Sequence, residues 1–86
     1  MEINSLIKIL KEKLTKKIKI NNIKIEDKSF LHKKHQNFNK DKFHIKLTIE
    51  SSELRKISSI EANRKIYDVL KDEMNRSIHS LQIIIV

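Results

Sequence analysis

The chain has 86 residues, with 19 Lys and Arg against 11 Asp and Glu, which gives a formal net charge of +8. This length makes one domain over residues 1–86, with a core too small for a deep, dry active site. The chain contains no Cys, Gly or Pro. Their absence excludes disulfides, thiol catalysis, a Cys-ligated metal site built by this chain alone, and glycine-rich phosphate loops. The charge favours an anionic partner such as nucleic acid, or reflects a composition rich in Lys, Asn and Ile.

The first segment has the pattern of an amphipathic helix with a lysine-rich outer face. Its apolar residues recur at steps of three and four: Ile3, Leu6, Ile7, Leu10, Leu14 and Ile18. Asn21 and Asn22 can adopt the turn conformations that usually favour glycine. We therefore expect the helix to stop at these two residues.

Two strands and a long polar loop follow. Ile23 and Ile25 alternate with charged residues, which predicts a short strand. Residues 43–49 alternate between apolar and polar side chains and give the clearest strand in the chain. Between the strands, residues 27–41 lack periodicity, and a loop of about 15 residues in so small a domain is usually functional or mobile. This loop contains His32 and His35.

The second half predicts a short helical turn at residues 51–54, a longer helix and a last strand at residues 78–86. Ser58 and Glu61 have capping-box spacing. The helix after them buries one face, which consists of Ala62, Ile66, Val69, Leu70 and Met74. The resulting order is αββααβ, an α+β fold with a three-stranded mixed sheet and its helices on one face. Because the last strand arrives through a helical crossover, it should lie parallel to a neighbour.

The histidines are the main candidates for chemistry, because the chain has no HExxH motif and no triad spacing, so we expect no enzyme. His44 lies on the polar face of a strand and is predicted to be solvated. His79 begins the last strand, where a histidine more often has no special function. His32 and His35 would suit a metal on one helical turn, but their place in a loop removes that argument.

Four segments together resemble the BolA-like family. Residues 25–32 (IEDKSFLH) resemble its acidic-x-Ser-x-x-His segment, and residues 42–45 (KFHI) resemble its His-Phe-x-Val strand start. Residues 60–67 (IEANRKIY) stand where the family has an Arg-His-Arg-x-x-Tyr helix. Residues 74–81 (MNRSIHSL) resemble the Val/Ile-His-Ala-Leu that leads into the last strand. The resemblance covers nearly the whole chain and implies a fold similar to a class II KH domain.

The chain departs from the family at several positions. Ala62 and Asn63 replace an arginine and a histidine of the helix, Lys42 replaces the strand-start histidine, and Lys56 replaces a glycine. The first two replacements weaken a direct DNA contact by that helix. The remaining basic candidates for nucleic-acid binding are Arg64, Lys65 and Lys71. They would contact phosphates, which contribute affinity without sequence information.

The resemblance also implies a shared iron–sulfur cluster. BolA-like proteins pair with monothiol glutaredoxins and hold a [2Fe–2S] cluster with them, through a loop His or Cys and the C-terminal His. By position these are His32 and His79, with His35 a substitute for His32. Histidine can replace thiolates on one iron, so a cysteine-free chain needs the partner's thiolates. We expect the chain to bind no cluster alone.

The leading hypothesis is a non-enzymatic adaptor in iron–sulfur or iron regulation that acts with a glutaredoxin. The alternatives are a DNA-binding transcriptional regulator of a stress response and an interaction domain whose basic surface is only solvated. No apolar run approaches a membrane span, and the first residues do not resemble a secretory signal. We therefore expect no membrane association and a cytoplasmic location, or an organelle if a targeting segment has been removed. The expected oligomeric state is a monomer or a weak homodimer.

Overall fold

The computed structural model describes residues 2–29 and 42–86, which place helices on one face of a three-stranded sheet. In chain order the elements are α1 (Ile3–Lys17), β1 (Asn22–Asp27), β2 (Phe43–Glu50), α2 (Ser52–Arg55), α3 (Ser59–Val69), α4 (Lys71–Arg76) and β3 (Ile78–Ile85). The predicted α+β class and mixed sheet are confirmed. One element differs, because the helix expected after Ser58 is divided into α3 and α4 at Leu70, which has φ −100° and ψ 18°.

Helix α1 follows the predicted periodicity but is shorter than expected. Leu6, Leu10 and Leu14 have no exposed surface, because residues four apart lie on the same helix face. The helix ends at Lys17, and Ile18 is already extended, with φ −130° and ψ 137°. The side chain of Ile18 nevertheless stays in the core. The apolar pattern thus identified the buried residues but extended one residue beyond the helix.

The prediction that helix α1 stops at Asn21 and Asn22, through the turn conformations these residues can adopt, is wrong, because the helix already ends at Lys17. Among the described residues none has a positive φ, and Asn22 is already the first residue of β1. The backbone amide of Asn21 donates to the carbonyl of Glu50 at 2.8 Å. The chain therefore enters the sheet through extended residues that a backbone hydrogen bond attaches to the end of β2.

Strand β2 is the central strand of the sheet. β1 pairs with it antiparallel and β3 pairs with it parallel, so Leu47 lies between Ile25 and Ile83. The predicted parallel arrival of the last strand is confirmed. Because side chains alternate along a strand, Ile45, Leu47 and Ile49 are buried beneath the helices. The polar residues between them face the other side, called here the outer face of the sheet.

The buried apolar side chains of the described residues form one cluster between the sheet and the helices. Its members are Leu6, Leu10, Leu14, Ile18, Ile45, Leu47, Ile49, Leu54, Ala62, Ile66, Leu70 and Ile78. On the predicted face Ala62, Ile66 and Leu70 are buried, while Val69 and Met74 are only half-buried. Burial of apolar surface contributes roughly 25 cal/mol per Å², so this cluster is the main source of stability.

Ser51 attaches the strands to the helical layer. Its side chain is fully buried, and its Oγ donates to the carbonyl of Lys19 at 2.7 Å and accepts from the amide of Leu54 at 3.2 Å. The first bond fixes the segment after α1, and the second caps α2. Ser58 Oγ accepts from the amide of Glu61 at 3.1 Å, which confirms Ser58 as the predicted N-cap of α3.

Replacing Ser51 by Ala should lower the free energy of unfolding by about 1–3 kcal/mol. The substitution removes the hydroxyl that hydrogen-bonds two backbone groups, and both groups are shielded from solvent. Ser58→Ala removes a cap at an exposed helix start and should cost about 0.5–1 kcal/mol. Urea unfolding followed by far-UV circular dichroism measures both losses, with the exposed Ser59→Ala as the control. Equal losses for the two caps would contradict the role given to Ser51.

A buried carboxylate joins the first and last helices. Glu73 in α4 is 9% exposed, and its Oε2 accepts a hydrogen bond from Lys13 Nζ in α1 at 2.7 Å. The other oxygen, Oε1, is buried and has no hydrogen-bond partner among the described residues. Because an unpaired buried carboxylate costs several kcal/mol, the ion pair with Lys13 offsets part of the cost of burying Glu73.

Lys13→Met should lower the free energy of unfolding by about 1–3 kcal/mol, because it leaves the carboxylate of Glu73 without its counter-charge. The loss is not larger because the side chain of Lys13 is partly exposed to solvent, which weakens the ion pair. Glu73→Gln in the same background should recover much of that loss, because a neutral amide needs no counter-charge. Lys16→Met, at an exposed lysine of the same helix, is the control. Denaturant unfolding of the wild-type protein, of Lys13→Met and Glu73→Gln as single variants and of the double variant gives the coupling free energy, and a coupling near zero would contradict the interpretation.

Candidate functional site

Strands β2 and β3 pair with one irregularity, at the start of both strands. Phe43 lies opposite Ile78, whereas the next residue, His44, lies opposite Ser80. His79 is therefore an extra residue in β3, and an extra residue of this kind redirects the side chains around it. Ile78 is buried, while both His79 and Ser80 are exposed.

The bulge brings the ring of His79 against that of His44. Their ring centroids lie 4.8 Å apart and their planes are tilted by 58°. His44 Nδ1 lies 2.6 Å from Ser80 Oγ, within hydrogen-bond distance, and the tautomer of the ring decides which atom donates. His44 is half-buried and His79 is exposed. The prediction that His44 is simply solvated is therefore wrong.

Both ends of the segment between β1 and β2 attach to this corner of the sheet. The amide of His44 donates to Ser29 Oγ at 3.0 Å, and the carbonyl of His44 accepts from the amide of Lys28 at 2.7 Å. On the other side, the amide of Phe43 donates to the carbonyl of Ser77 at 2.8 Å. The segment that carries the two loop histidines thus leaves and returns beside the start of β3.

The predicted loop ligands His32 and His35 lie outside the described residues. In residues 2–29 and 42–86, no group of three or more His, Cys, Asp or Glu side chains is arranged to hold a metal ion. His79, the third predicted ligand, has His44 as its described imidazole neighbour. A complete coordination sphere here therefore needs ligands from the rest of the chain or from a partner.

The outer face of the sheet is basic around one carboxylate. Glu26 Oε1 lies 3.1 Å from Lys24 Nζ, and Oε2 lies 3.7 Å from Lys28 Nζ. Lys46 stands opposite Glu26 on β2. The hydrogen bond from Lys24, with the charges of all three lysines, holds the pKa of Glu26 below its ordinary value despite some desolvation. Three lysines against one ionised carboxylate leave this part of the face positive.

The three predicted nucleic-acid-binding residues have different surroundings. Lys65 Nζ lies 3.0 Å from Glu53 Oε2 of α2, so its charge is paired within the protein. Arg64 in α3 and Lys71 in α4 are exposed. Two of the three predicted charges are therefore presented to solvent by the α3–α4 segment.

Two residues that sequence reasoning missed shape the site and its support. Ser80 holds the ring of His44, and its only sequence signal is that it follows His79 at a strand start. Tyr67 donates its hydroxyl hydrogen to the carbonyl of Leu81 at 3.3 Å, which attaches α3 to β3. Among the described helices, none has the length and apolar character needed to cross a membrane.

Comparison with known proteins agrees with this architecture. The mixed sheet, the helical layer and the histidine at the start of the last strand define a small α+β domain of BolA type. A family model described as BolA-like protein matches residues 14–86, and the chain belongs to the BolA-like family. The DNA-binding transcriptional regulator BolA of Haemophilus influenzae is 32% identical over 77 residues, which cover 90% of this chain and 72% of that protein.

Solved structures of this type share the fold. The BolA domain of SufE1 from Arabidopsis thaliana has a TM-score of 0.75 and 32% identity, covering 88% of this chain and 84% of that one. BolA1 from Arabidopsis thaliana has a TM-score of 0.74 and 25% identity, with 88% and 83% covered. A bol-like protein from Babesia bovis has a TM-score of 0.71 at 16% identity, with 92% and 80% covered, a likeness of fold alone.

Proposed function

We propose that this protein is a non-enzymatic adaptor that pairs with a monothiol glutaredoxin and shares a [2Fe–2S] cluster in iron–sulfur or iron homeostasis. The observation that carries the proposal is the position of His79. Its ring is exposed on the outer face of the sheet, beside both ends of the segment that contains the loop histidines. Membership of the BolA-like family supports it, because the resemblance of residues 74–81 to the family's ending implies that His79 is the C-terminal ligand.

The available donor atoms fit a cluster that is completed from outside. The chain has no Cys, and the described residues contain no group of three potential ligands. Histidines can replace thiolates on one iron of a [2Fe–2S] cluster. His79 and a loop histidine would hold that iron, and the partner would supply thiolates to the other. When bound, such a cluster supplies one-electron redox chemistry and transferable iron and sulfide.

Chain connectivity favours His32 over His35 as the second ligand. Ser29, which is attached to His44 by a hydrogen bond, precedes His32 by three residues. An extended chain spans at most about 3.6 Å per residue, so the Cα of His32 cannot be more than about 11 Å from that of Ser29. For His35, six residues away, the limit is about 22 Å. This shorter connection to Ser29 is the reason why we propose His32, and not His35, as the second ligand.

Adding the protein to a monothiol glutaredoxin that carries its cluster should change the visible absorption and circular dichroism spectra. Imidazole nitrogen in place of a thiolate alters the charge-transfer bands of the iron. His79→Ala and His32→Ala should each abolish the change, and His35→Ala should preserve it. Visible-region circular dichroism, recorded as the protein is titrated into the glutaredoxin, measures the effect.

Because His79 is exposed, its replacement by Ala should change the free energy of unfolding by no more than about 0.5 kcal/mol. The variant should therefore have the far-UV circular dichroism spectrum of the wild-type protein. Arg64→Ala, an exposed change on α3, is the matched control and should leave the titration unaltered. A glutaredoxin spectrum that does not change on addition of the wild-type protein, or a change that persists with His79→Ala, would refute the proposal.

DNA binding is the second candidate function, favoured by one observation from the relatives and one from the structure. The relative in Haemophilus influenzae is named a DNA-binding transcriptional regulator. In this chain Arg64 and Lys71 are exposed on consecutive helices, where they can reach phosphates. Lys65 is paired with Glu53, so its charge contributes less to the attraction of phosphates.

If the α3–α4 segment contacts the DNA backbone, changing both Arg64 and Lys71 to Ala should weaken duplex binding. It should also reduce the slope of log K against log salt concentration by about 2, one for each lost phosphate contact. Fluorescence anisotropy at several salt concentrations measures both effects. The control is Lys8→Ala with Lys11→Ala, two exposed lysines of α1. If the two double variants weaken binding equally and all duplex sequences bind with equal affinity, the α3–α4 segment is not a specific contact. The binding is then only nonspecific attraction between opposite charges.

A further inference from the structure

We propose that the free edge of strand β3 is a homodimer interface, to which a second copy of this chain adds its own β3 antiparallel around a two-fold axis. β3 is an edge strand, because the sheet of the described residues has the order β1-β2-β3. Pairing of two such edges makes one continuous six-stranded sheet, the self-complementary contact of a two-fold dimer. The proposal goes beyond the function proposed above and needs neither a glutaredoxin nor a cluster.

The backbone of β3 presents alternate residues to the free edge. The amide of Val86 donates to the carbonyl of Ile49 at 2.9 Å, so Val86 directs its amide at β2. Because this direction alternates along a strand, the amides and carbonyls of Leu81, Ile83 and Ile85 point away from β2. No other strand of the described residues pairs with them. Such a row of amides and carbonyls is a template for pairing with another chain.

β3 lacks the charges with which edge strands usually prevent pairing. It is the one element of the described chain without Lys, Arg, Asp or Glu, and Val86 after it is also uncharged. The opposite edge strand, β1, contains Lys24, Glu26 and Asp27. Native proteins place charged residues, above all Lys, on edge strands to oppose pairing. The contrast indicates that β1 is protected from pairing and β3 is not.

Exposed apolar side chains border the same edge. Among the described residues, the large apolar side chains with the most exposure are Ile60, Tyr67 and Val86, at 70%, 40% and 50%. Val86 directly follows β3, and the hydroxyl of Tyr67 donates to the carbonyl of Leu81. Ile60 precedes Tyr67 by about two helical turns, so both lie on the same face of α3. A second chain at this edge would cover apolar surface that a monomer leaves in water.

The register of β3 against itself favours a second copy as the occupant. With Ile83 on the two-fold axis, Ile83 faces its own counterpart and Leu81 faces Ile85 of the second copy. Each facing pair can then exchange both of its backbone hydrogen bonds. The three side chains pack against the core on the helix side of the sheet. Apolar residues therefore meet apolar residues along this side, and no charged residue of β3 opposes another.

Electrostatic repulsion between two chains of charge +8 limits the strength of the dimer. On the outer face, Lys46 of β2 stands opposite Gln82 of β3. In the dimer the two β2 strands are three strand spacings apart, about 14 Å, which exceeds the screening length of about 8 Å at physiological salt. We therefore expect a weak dimer that tightens as the salt concentration rises. DNA binding has the opposite salt dependence.

Sedimentation equilibrium of the wild-type protein from micromolar to millimolar concentration should show a reversible monomer–dimer equilibrium. Amide hydrogen exchange, followed by ¹H–¹⁵N correlation spectra over the same range, locates the interface. Exchange at Leu81, Ile83 and Ile85 should slow about fivefold or more as the dimer forms. Gln82 and Ile84 donate their amides to β2 and should change much less. This alternating pattern needs no variant, so it does not depend on whether a substitution folds.

Gln82→Lys adds a charge to the exposed outer face of β3 and should weaken the dimer about threefold or more at low salt. Asn22→Lys adds the same charge at the exposed start of β1 and is the matched control. It should leave the dissociation constant of the dimer nearly unchanged. Far-UV circular dichroism checks that both variants fold.

Three results would overturn the proposal. The first is a wild-type protein that stays monomeric at millimolar concentration. The second is a dimer whose amide protection does not alternate along β3, and the third is equal weakening by Gln82→Lys and Asn22→Lys. Protection of the β3 amides only when a different protein is added would also overturn it, because the edge would then belong to that partner.

The dimer and the shared cluster fail separately. His79 lies two residues before the paired segment, with its ring exposed on the outer face. The two-fold axis places the two copies of His79 at opposite ends of the shared ladder, roughly 25 Å apart along the strands, so pairing leaves both rings accessible. A monomeric protein that changes the glutaredoxin spectrum would refute the dimer alone. A dimeric protein that leaves the spectrum unchanged would refute the shared cluster alone.

Discussion

The parallel pairing of β3 with the central strand β2 is the constraint on which the rest of the structure depends. It completes the apolar face on which the helices pack, and it alone connects the last strand to the sheet within the described residues. The same pairing contains the bulge at its start, so one irregularity in one ladder sets both the register of the core and the position of His79. Packing and candidate site are therefore not separable at this corner, where Ile78 is buried and the next residue is exposed.

The periodicity of apolar residues in the sequence was sufficient to predict most of the fold. Alternation at residues 43–49 and three- and four-residue steps in α1 and α3 follow directly from burial on one side of an element, so they identified core residues such as Leu10 and Leu47. The predictions failed where the conformation or burial of a residue depends on contacts with distant parts of the chain and not on the local apolar pattern. Ile18 keeps its apolar contact after the helix has ended, and Glu73 is buried because Lys13 from a distant helix can reach it.

The candidate site was predictable only in part. The position of His79 followed from the family resemblance, since the segment around it matches the family's ending. The importance of His44 could not be predicted, because contact between residues 44 and 79 requires the parallel register and the extra residue in β3. The charge pattern predicted Lys65 as a basic surface residue, and only the placement of α2 shows its ion pair with Glu53. The roles of His32 and His35 stay predictions.

The backbone conformation described earlier has a consequence for how such a sequence evolves. No described residue has a positive φ, so none of these positions demands glycine for steric reasons. Glycine and proline are encoded only by codons that begin with GG or CC. A fold that closes its turns with hydrogen bonds from Asn21 and Ser51 instead can be kept while mutation steadily removes G and C from the gene. The chain can thus change much of its composition while its mixed sheet remains the same.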